Sequence, residues 1–583
     1  MKNKSFPTLI TPFAEKMDKN TPWNVYPRPQ LKRDSFICLN GLWDFEITNS
    51  AKIPERFTEK ILVPFPVESE LSGIGRRIGK KDVMFYRRTF TLPEGFINDR
   101  LLLRFGAIDR FAKVYVNGKA MGVHDCGYTP FFVDITEAIG EGENEIIVEV
   151  RDELSHLYPY GKQKRKRGGM WYTPVSGIWQ TVWLESVPEN YIENIRIHPS
   201  LESVDIEIYT KAKCKKITLL DSGEVFEFKD NFITLSPKEI KNWTPETPYL
   251  YRFRLETESD SVESYFALRT VTRERINGIP RICLNGKPYL FNGLLDQGYF
   301  PDGLFLPATP EGYENDIKLA KELGFNTLRK HVKVEPPIFY YLCDKLGIAV
   351  FQDMVNNGRY SFLFDTALPT VGFKKKRDKN RHQNPESREA FINCMTATAN
   401  MLYNYPSVVY YTIFNEGWGQ FDANEMYKRL KSTDRSRIID STSGWFWRSK
   451  SNVHSHHVYF KSPIIPPDTQ KPLVLSEFGG FSYRVEGHLF GSKNYGYAKY
   501  NSCREFEKAI FSLYTEDVKA LVKNGVSALI YTQLSDIEDE TNGLVTYDRK
   551  VVKIDAARMR KILGELFELS TFTEAENENS NLL

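Results

Sequence analysis

The feature that most constrains the fold is a repeating pattern that begins near residue 280. Short apolar segments alternate there with segments of helical periodicity, such as 310–323. Eight strands are predicted: Tyr289–Gly293, Asn326–Arg329, Ala349–Asp353, Val408–Asn415, Ile438–Ser441, Val453–Tyr459, Leu473–Glu477 and Ala528–Gln533. Because helices fall between most of them, residues 275–572 are predicted to form a (β/α)8 TIM barrel.

The residues before the barrel are rich in short strands. Val114 to Lys119 carries an Asn-Gly pair, which is typical of a tight hairpin, and Gly41 to Ile47 alternates after a turn. Residues 1–187 are therefore predicted to form a jelly-roll β-sandwich, and 188–274 a smaller immunoglobulin-like β-sandwich. The polar segment 573–583 is predicted to be a disordered tail.

Charge and aromatic content narrow the classes of partner. The net charge of +3 does not favour binding to nucleic acid or to an anionic membrane. Two basic runs, Lys162–Arg167 and Lys374–Arg381, fit solvated loops, with contact to an anionic substrate as the alternative. Aromatic residues make up 14% of the chain, which suits sugar stacking but equally suits large β-rich cores.

The cellular compartment is predicted from what the sequence lacks. The 7 cysteines form no CxxC pair, which fits reduced thiols better than disulfides or zinc knuckles. The first residues have no apolar run typical of a signal peptide, and no stretch approaches the length of a membrane span. We expect a cytoplasmic protein that does not associate with membranes. The oligomeric state stays open, a homo-oligomer included.

Two acidic residues stand at predicted strand ends. The fourth barrel strand runs into Asn415-Glu416-Gly417, and the seventh runs into Glu477-Phe478-Gly479. Active sites of TIM barrels lie at the carboxyl ends of the strands, and burying an unpartnered charge is costly. The interpretation is that Glu416 and Glu477 face one another across the barrel mouth and are functional, with a structural ion pair as the alternative.

A facing pair of carboxylates is the requirement of glycoside hydrolysis. In retaining enzymes one carboxylate is the nucleophile and the other acts as acid and then as base, and the two lie about 5–5.5 Å apart. Each negative charge raises the pKa of the other carboxyl, so the two environments must differ.

Six further motifs are spread along the chain: Asn40-Gly41-Leu42-Trp43-Asp44-Phe45, Tyr86-Arg87-Arg88-Thr89-Phe90, Val116-Asn117-Gly118, Gly177-Ile178-Trp179, Phe325-Asn326-Thr327-Leu328-Arg329-Lys330-His331 and Asp344-Lys345-Leu346-Gly347-Ile348-Ala349-Val350. In these motifs the sequence resembles glycoside hydrolase family 2, which includes β-galactosidases, β-glucuronidases and β-mannosidases. The resemblance covers nearly the whole chain. It implies a sugar-binding jelly roll, an immunoglobulin-like domain and a TIM barrel, in the order already predicted.

The resemblance also implies roles for individual residues. Glu416 would be the acid/base and Glu477 the nucleophile, while Asn415 would hydrogen-bond the sugar 2-hydroxyl. His331, which ends the second strand, resembles the family's sugar-contacting histidine. Gln533 ends the eighth strand, where family members often carry a ligand contact.

Further candidates have structural alternatives of comparable weight. Asp353 ends the third strand and Asp296 follows the first; each could bind a sugar hydroxyl or order a loop. Trp445 and Trp418 are candidate stacking platforms, with a place in the core as the alternative.

The histidine cluster of the sixth strand, His454, His456 and His457, is not predicted to bind zinc. Strand alternation sends His456 and His457 to opposite faces. A sugar contact from one of them, taken here as His456, is favoured. No metal site is predicted. No cofactor is required for the chemistry, although family members sometimes bind Mg²⁺ or Na⁺.

The substrate is predicted to be an oligosaccharide or glycoside. β-Glucuronidases of the family carry an Asn-x-Lys pair where this chain has Glu540-Thr541-Asn542-Gly543, and Glu540 would repel a carboxylate. The prediction is a retaining exo-β-glycosidase, with β-galactosidase as first choice. Alternatives are a β-mannosidase, a β-glucuronidase, a galactofuranosidase or arabinofuranosidase, a glycosyl-transferring enzyme, and a non-catalytic carbohydrate-binding protein.

Overall fold

The computed structural model describes residues 8–572 except 371, 374–377, 380, 460, 461, 464, 466, 467 and 469. The tail that was predicted to be disordered, 573–583, lies outside the described residues, as does much of the basic run Lys374–Arg381.

The first part of the chain is a β-sandwich, as predicted. A four-stranded sheet of order β1-β12-β5-β9 packs against a six-stranded sheet of order β3-β2-β4-β10-β7-β8. In β7 the residues alternate between half-buried and buried, so that Ala112, Val114 and Val116 enter the core. The strands are β1 (Phe36–Cys38), β2 (Gly41–Thr48), β3 (Glu59–Val63), β4 (Val83–Thr91), β5 (Arg100–Phe105), β6 (Ile108–Asp109), β7 (Phe111–Val116), β8 (Lys119–Asp125), β9 (Phe131–Asp134), β10 (Glu143–Arg151), β11 (Gly177–Ile178) and β12 (Val182–Val187).

A second, smaller sandwich follows, also as predicted. Its sheets have the orders β13-β14-β17 and β16-β15-β18-β19, and a three-stranded sheet, β20-β21-β22, leads from it to the barrel. The strands are β13 (Asn194–Pro199), β14 (Val204–Tyr209), β15 (Lys215–Leu219), β16 (Val225–Phe228), β17 (Phe232–Leu235), β18 (Tyr251–Thr257), β19 (Ser261–Phe266), β20 (Val271–Ile276), β21 (Ile279–Leu284) and β22 (Lys287–Pro288).

The third part is the predicted barrel, an 8-stranded parallel sheet of order β27-β26-β25-β24-β23-β32-β29-β28. The eight predicted strands match the observed ones to within a few residues. The strands of this part are β23 (Phe291–Asp296), β24 (Thr327–Lys330), β25 (Ala349–Asp353), β26 (Val408–Phe414), β27 (Ile438–Thr442), β28 (His454–Val458), β29 (Leu473–Gly479), β30 (Phe481–Tyr483), β31 (Ala498–Tyr500) and β32 (Ala528–Thr532).

Helices surround the barrel and bury its outer face. They are α1 (Glu311–Glu322), α2 (Pro337–Leu346), α3 (Leu368–Thr370), α4 (Pro385–Leu402), α5 (Ala423–Thr433), α6 (Cys503–Ser512), α7 (Lys519–Lys523) and α8 (Ala556–Phe572), with π-helical turns at Leu363–Ala367 and Leu513–Val518. Apolar residues of the helices and strands form a large continuous core, and a second cluster of strand residues includes Phe351, Tyr410 and Ile530. Within the described ranges, no helix has both the length and the apolar character needed to cross a bilayer.

Candidate active site

The two predicted carboxylates meet at the mouth of the barrel. Glu416 is the second residue after β26, and Glu477 lies near the end of β29. Glu416 has a φ of +50°, in the left-handed region that a residue with a side chain adopts at a cost of about 1–3 kcal/mol. Gly417 beside it also has positive φ, and a Cβ there would lie 2.3 Å from the Phe446 ring. The sharp turn therefore projects Glu416 away from the strand and towards the axis.

Within the described part of the chain, one group of three His, Cys, Asp or Glu side chains converges closely. The ligand atoms of Glu416, His457 and Glu477 lie within 4.8 Å of one another, and all three residues are buried. Such a set could chelate a cation, but the Arg329 guanidinium lies 2.9 Å from Glu477 Oε1 and opposes a metal there. His454 and His456 are not part of the group.

The environment of Glu477 favours its ionised form. Arg329 Nη1 donates to Oε1, and the Tyr459 hydroxyl donates to Oε2. Burial by itself would raise the pKa of Glu477, but the charges of His457, Arg329 and His331 together lower that pKa to about 2. The carboxylate is therefore negative at neutral pH.

Arg329 connects four groups at the centre of the site. Its side chain is 0% exposed, and it donates to Asp353 Oδ1 at 3.0 Å and to Glu477 Oε1 and Asn415 Oδ1 at 2.9 Å each. A third bond of 2.9 Å goes to the Ser476 carbonyl. A planar guanidinium with this many acceptors holds them in fixed mutual positions.

Glu416 is held by a different partner. Its Oε1 lies 2.8 Å from His457 Nδ1, and its backbone N–H donates to the Ser443 hydroxyl at 3.2 Å. The same hydroxyl donates to Asn415 Oδ1 at 3.0 Å. Because Arg329 and Ser443 both occupy Asn415 Oδ1, the amide nitrogen of Asn415 is the end left to donate to a ligand.

His331 and Asp353 lie beside the carboxylate pair. His331 Nδ1 is 2.8 Å from Asp353 Oδ2, and Nδ1 is also 4.0 Å from Glu477 Oε1. Burial lowers the pKa of His331, while Asp353 opposes that effect. Both oxygens of Asp353 are engaged by Arg329 and His331, so the structure places Asp353 beneath the site as the residue that orients them.

Two other candidates, Asp296 and Trp418, have their contacts away from the two carboxylates. Asp296 is buried and accepts from Lys330 Nζ at 2.6 Å and from the Gly298 N–H at 2.8 Å. Trp418 packs in an aromatic cluster with Trp171, at 5.3 Å between ring centroids. These contacts match the structural alternatives for both residues.

Trp445 and one histidine of the cluster lie beside the carboxylate pair. The Trp445 ring lies edge-on to His457, at 5.7 Å between centroids. His457 faces the site, whereas His456 lies 5.7 Å from the Trp447 ring. Alternation predicts that the two histidines face opposite ways, and the sugar contact is predicted for His456. The structure puts its neighbour between the carboxylates.

Gln533 directly follows β32 and lies in a second polar group. Its amide nitrogen donates to Glu540 Oε2 and to Asn542 Oδ1, at 2.7 Å each. Burial raises the pKa of Glu540 to about 7, although the charge of Lys162 acts in the opposite direction. Glu540 is therefore partly protonated at neutral pH, and it repels an anion less than the sequence alone predicts.

Lys162 comes from the jelly roll. Its neighbour Gly161 donates a backbone hydrogen bond to the Asn356 carbonyl in the barrel. Trp171 from the same loop packs with Val332 and Trp418. This part of the basic run therefore lies over the barrel mouth, and the charge of Lys162 acts on both Glu540 and His331.

The sequence alone predicts no role for Arg329 or Tyr459. It offers only a general one for His457, as a member of the histidine cluster, and for Lys162, as part of a basic run. For Arg329 a signal existed, because a charged residue inside a buried strand needs a partner. The other three depend on contacts between distant segments. A cavity of about 660 Å³ near Trp23, Phe132 and Met401 is lined by neither carboxylate, so the site is assigned on its chemistry.

Three family models match the chain in order. "Glycosyl hydrolases family 2, sugar binding domain" matches residues 63–188, "Glycosyl hydrolases family 2" matches 190–269, and "Glycosyl hydrolases family 2, TIM barrel domain" matches 279–553. The fold and the paired carboxylates define a glycoside-hydrolase type of barrel. The chain belongs to glycosyl hydrolase family 2.

The relatives and solved structures similar to this chain are named for different substrate specificities. A β-galactosidase of Pseudoalteromonas haloplanktis is 25% identical over an alignment 600 positions long, and the alignment covers 88% of this chain and 54% of the relative. The chain thus spans about half the length of that relative. A β-D-glucuronidase structure for Dictyoglomus thermophilum aligns with a TM-score of 0.72 at 18% identity, covering 93% of this chain and 98% of the other. A β-galacturonidase structure from Eisenbergiella tayi aligns with a TM-score of 0.66 at 18% identity, covering 94% and 99%.

Proposed function

We propose that the chain is a retaining exo-β-glycosidase that removes terminal non-reducing sugars, with Glu477 as nucleophile and Glu416 as acid/base. The observation that carries the proposal is the approach of the two carboxylates to within 4.8 Å in unlike surroundings. Retaining enzymes place the pair about 5–5.5 Å apart, whereas inverting enzymes need about 6.5–9.5 Å to admit a water.

The reaction has two steps. Glu477 attacks the anomeric carbon while Glu416 gives a proton to the departing glycosidic oxygen, so that a covalent glycosyl-enzyme forms. Glu416 then removes a proton from water, which attacks the same carbon and releases Glu477. The lowered pKa of Glu477, which results from His457, Arg329 and His331 outweighing burial, suits a nucleophile that must be ionised before attack.

Asn415 supplies the sugar contact most directly supported by the geometry. Its amide orientation is set by Arg329 and Ser443, which leaves the nitrogen to donate to the 2-hydroxyl. Hydrogen bonds to that hydroxyl strengthen in the transition state. We propose that His331 and Trp445 complete the sugar pocket. No metal or other cofactor enters these steps.

The proposed substrate is a neutral β-galactoside. The β-galactosidase among the sequence relatives supports it, and so does the carboxyl group of Glu540 beside Gln533, which can accept hydrogen bonds from sugar hydroxyls. The second candidate is a uronide. Lys162 favours it, because its ammonium acts on the pocket residues Glu540 and His331, and a sugar carboxylate would give it a partner.

A panel of aryl β-galactoside, glucoside, mannoside, glucuronide, galacturonide and furanosides tests both candidates. The wild type should turn over the galactoside best, and Glu477→Ala should lose nearly all turnover. Lys162→Met should leave galactoside turnover within about threefold and, if uronides are substrates, lower kcat/KM for them at least tenfold. Failure to turn over any member would favour the non-catalytic carbohydrate-binding alternative. Products analysed with and without acceptor sugars would separate hydrolysis from glycosyl transfer.

A further inference from the structure

The imidazole of His457 lies between the two carboxylates. Nδ1 is 2.8 Å from Glu416 Oε1, and Nε2 is 3.6 Å from Glu477 Oε1. Arg329 Nη1 also lies 3.5 Å from Nε2. The His457 side chain is 0% exposed, so these groups replace water around it. Both ring nitrogens are thus committed to the site.

The orientation of the ring is fixed by its neighbours. Trp445 packs edge-on against it, with an angle of 72° between the ring planes. Gly444 lies so close that a Cβ there would be 3.3 Å from His457 Cγ. The pairing of β28 with β29 shifts register between His456 and His457. These contacts leave the imidazole little freedom to turn away from Glu416.

We infer that His457 is a positioning residue that acts through Glu416: its Nδ1–H holds Oε1 of that carboxyl, so that the other oxygen carries the proton delivered to the leaving group. The inference rests on the proposed function. A neutral imidazole that carries its proton on Nδ1 and an imidazolium both make this bond, so it persists in either protonation state of the ring.

The proton balance of the two steps follows. In the first step Glu416 Oε2–H passes its proton to the glycosidic oxygen, and the Nδ1–H bond to Oε1 then becomes a bond to a charged acceptor, which is stronger. In the second step Oε2 takes a proton from the attacking water. His457 neither gains nor loses a proton over the cycle. Its contribution is larger when the leaving group needs more protonation.

The test compares two aryl β-galactosides, phenyl and 2,4-dinitrophenyl, whose leaving groups differ in their need for a proton. If the panel selects another glycone, the same two aglycones are used on it. His457→Ala should lower kcat/KM on the phenyl glycoside by about 10- to 100-fold, the effect of losing one hydrogen bond to a charged acceptor. On the dinitrophenyl glycoside the loss should be under about threefold.

Two further variants complete the design. His457→Asn can place an amide N–H near the position of Nδ1–H and should recover part of the phenyl rate. His454 lies on the same strand but contacts Trp447 and Asp468 instead of the carboxylates. His454→Ala should therefore leave both rates unchanged. Melting temperatures within about 2 °C of the wild type would show that all variants are folded.

Equal loss on both substrates by folded His457→Ala, no loss on either, or no recovery in folded His457→Asn would overturn the inference. Glu416→Ala in the same assay separates this result from failure of the proposed function. If Glu416→Ala discriminates between the leaving groups and His457→Ala does not, the role of His457 alone is wrong. If Glu416→Ala does not discriminate, the acid assignment itself fails.

Discussion

Replacing Arg329 with methionine removes the group on which the geometry of the site depends most. The guanidinium is fully buried and bonds to Asp353, Glu477 and Asn415. Methionine fills a similar volume but donates no hydrogen bond. Two buried carboxylates would lose their charged partner, and breaking a buried ion pair from one side costs about 3–5 kcal/mol.

The lowered pKa of Glu477 corresponds to a free energy of the same order of magnitude as the cost of breaking the ion pair. The pKa of Glu477 lies at about 2 instead of 4.5, because His457, Arg329 and His331 outweigh burial, and this difference corresponds to roughly 3 kcal/mol. An adjacent arginine lowers a carboxyl pKa by about 1–3 units. Without Arg329, burial is opposed mainly by His457, so the pKa of Glu477 should rise.

The sign of the pH dependence follows from a depressed pKa in the folded state. Ionised Glu477 contributes stability above the unfolded pKa of about 4.3, and that contribution is lost as pH falls towards 2. The difference in melting temperature between wild type and Arg329→Met should therefore be largest near neutral pH and narrow on acidification. At pH 7 we expect it to be roughly 10 °C.

Two assays check this prediction: thermal melting between pH 2 and 7, which spans the folded and unfolded pKa values of Glu477, and the acid limb of kcat/KM. The variant should show an acid limb moved to higher pH and at least about 100-fold lower kcat/KM at pH 7, because Glu477 and Asn415 lose their fixed positions. Arg329→Lys, which keeps the charge and loses the planar fork, should fall between the two. Arg329→Met with wild-type melting and an unmoved acid limb would refute the reasoning.

The remaining predictions concern single groups. Glu416→Ala should lower kcat/KM on phenyl glycosides at least about 100-fold more than on dinitrophenyl glycosides; equal loss would count against its acid role. Tyr459→Phe removes the donor to Glu477 Oε2 and should lower kcat by about 10-fold or more, measured at saturating substrate; an unchanged kcat would mean that this bond is dispensable. Burial raises the pKa of Glu540 to about 7, so KM of the wild type should change between pH 6 and 8, and Glu540→Gln should flatten that change. Dialysis against EDTA should leave activity intact, and a loss reversed by Mg²⁺ would contradict the cofactor-free proposal.

The barrel and its carboxylates could be predicted because their signals are local. Each barrel strand is a short apolar run flanked by turn residues, and such runs are recognisable one at a time. Glu416 and Glu477 were found because an acidic residue directly after a buried strand is unusual. Because the parallel strands of a barrel all end at one face, the two residues are predicted to lie at the same face even though the sequence gives no distance between them.

The surroundings of the pair could not be predicted in the same way. Alternation indicates that His456 and His457 face opposite ways, but which of them faces inward depends on how the strand packs in the folded barrel, and its pairing with β29 is irregular at this point. Lys162 approaches the site from a loop of another domain, which no periodicity reveals. The sequence predicts a charged Glu540. Its raised pKa could not be predicted, because burial and the approach of Lys162 arise only in the folded chain.

The proposed mechanism requires Glu477 to form a covalent bond to the sugar, and trapping that bond tests the mechanism directly. The protein would be incubated with the 2,4-dinitrophenyl 2-deoxy-2-fluoro-β-glycoside of its preferred sugar. The fluorine slows both formation and hydrolysis of the glycosyl-enzyme, while the reactive leaving group speeds formation alone, so the intermediate accumulates. Peptide mass spectrometry should then find one fluoroglycosyl group on Glu477 in the wild type and none in Glu477→Ala. A label on another residue, or turnover with no adduct and inversion at the anomeric carbon, would contradict the account.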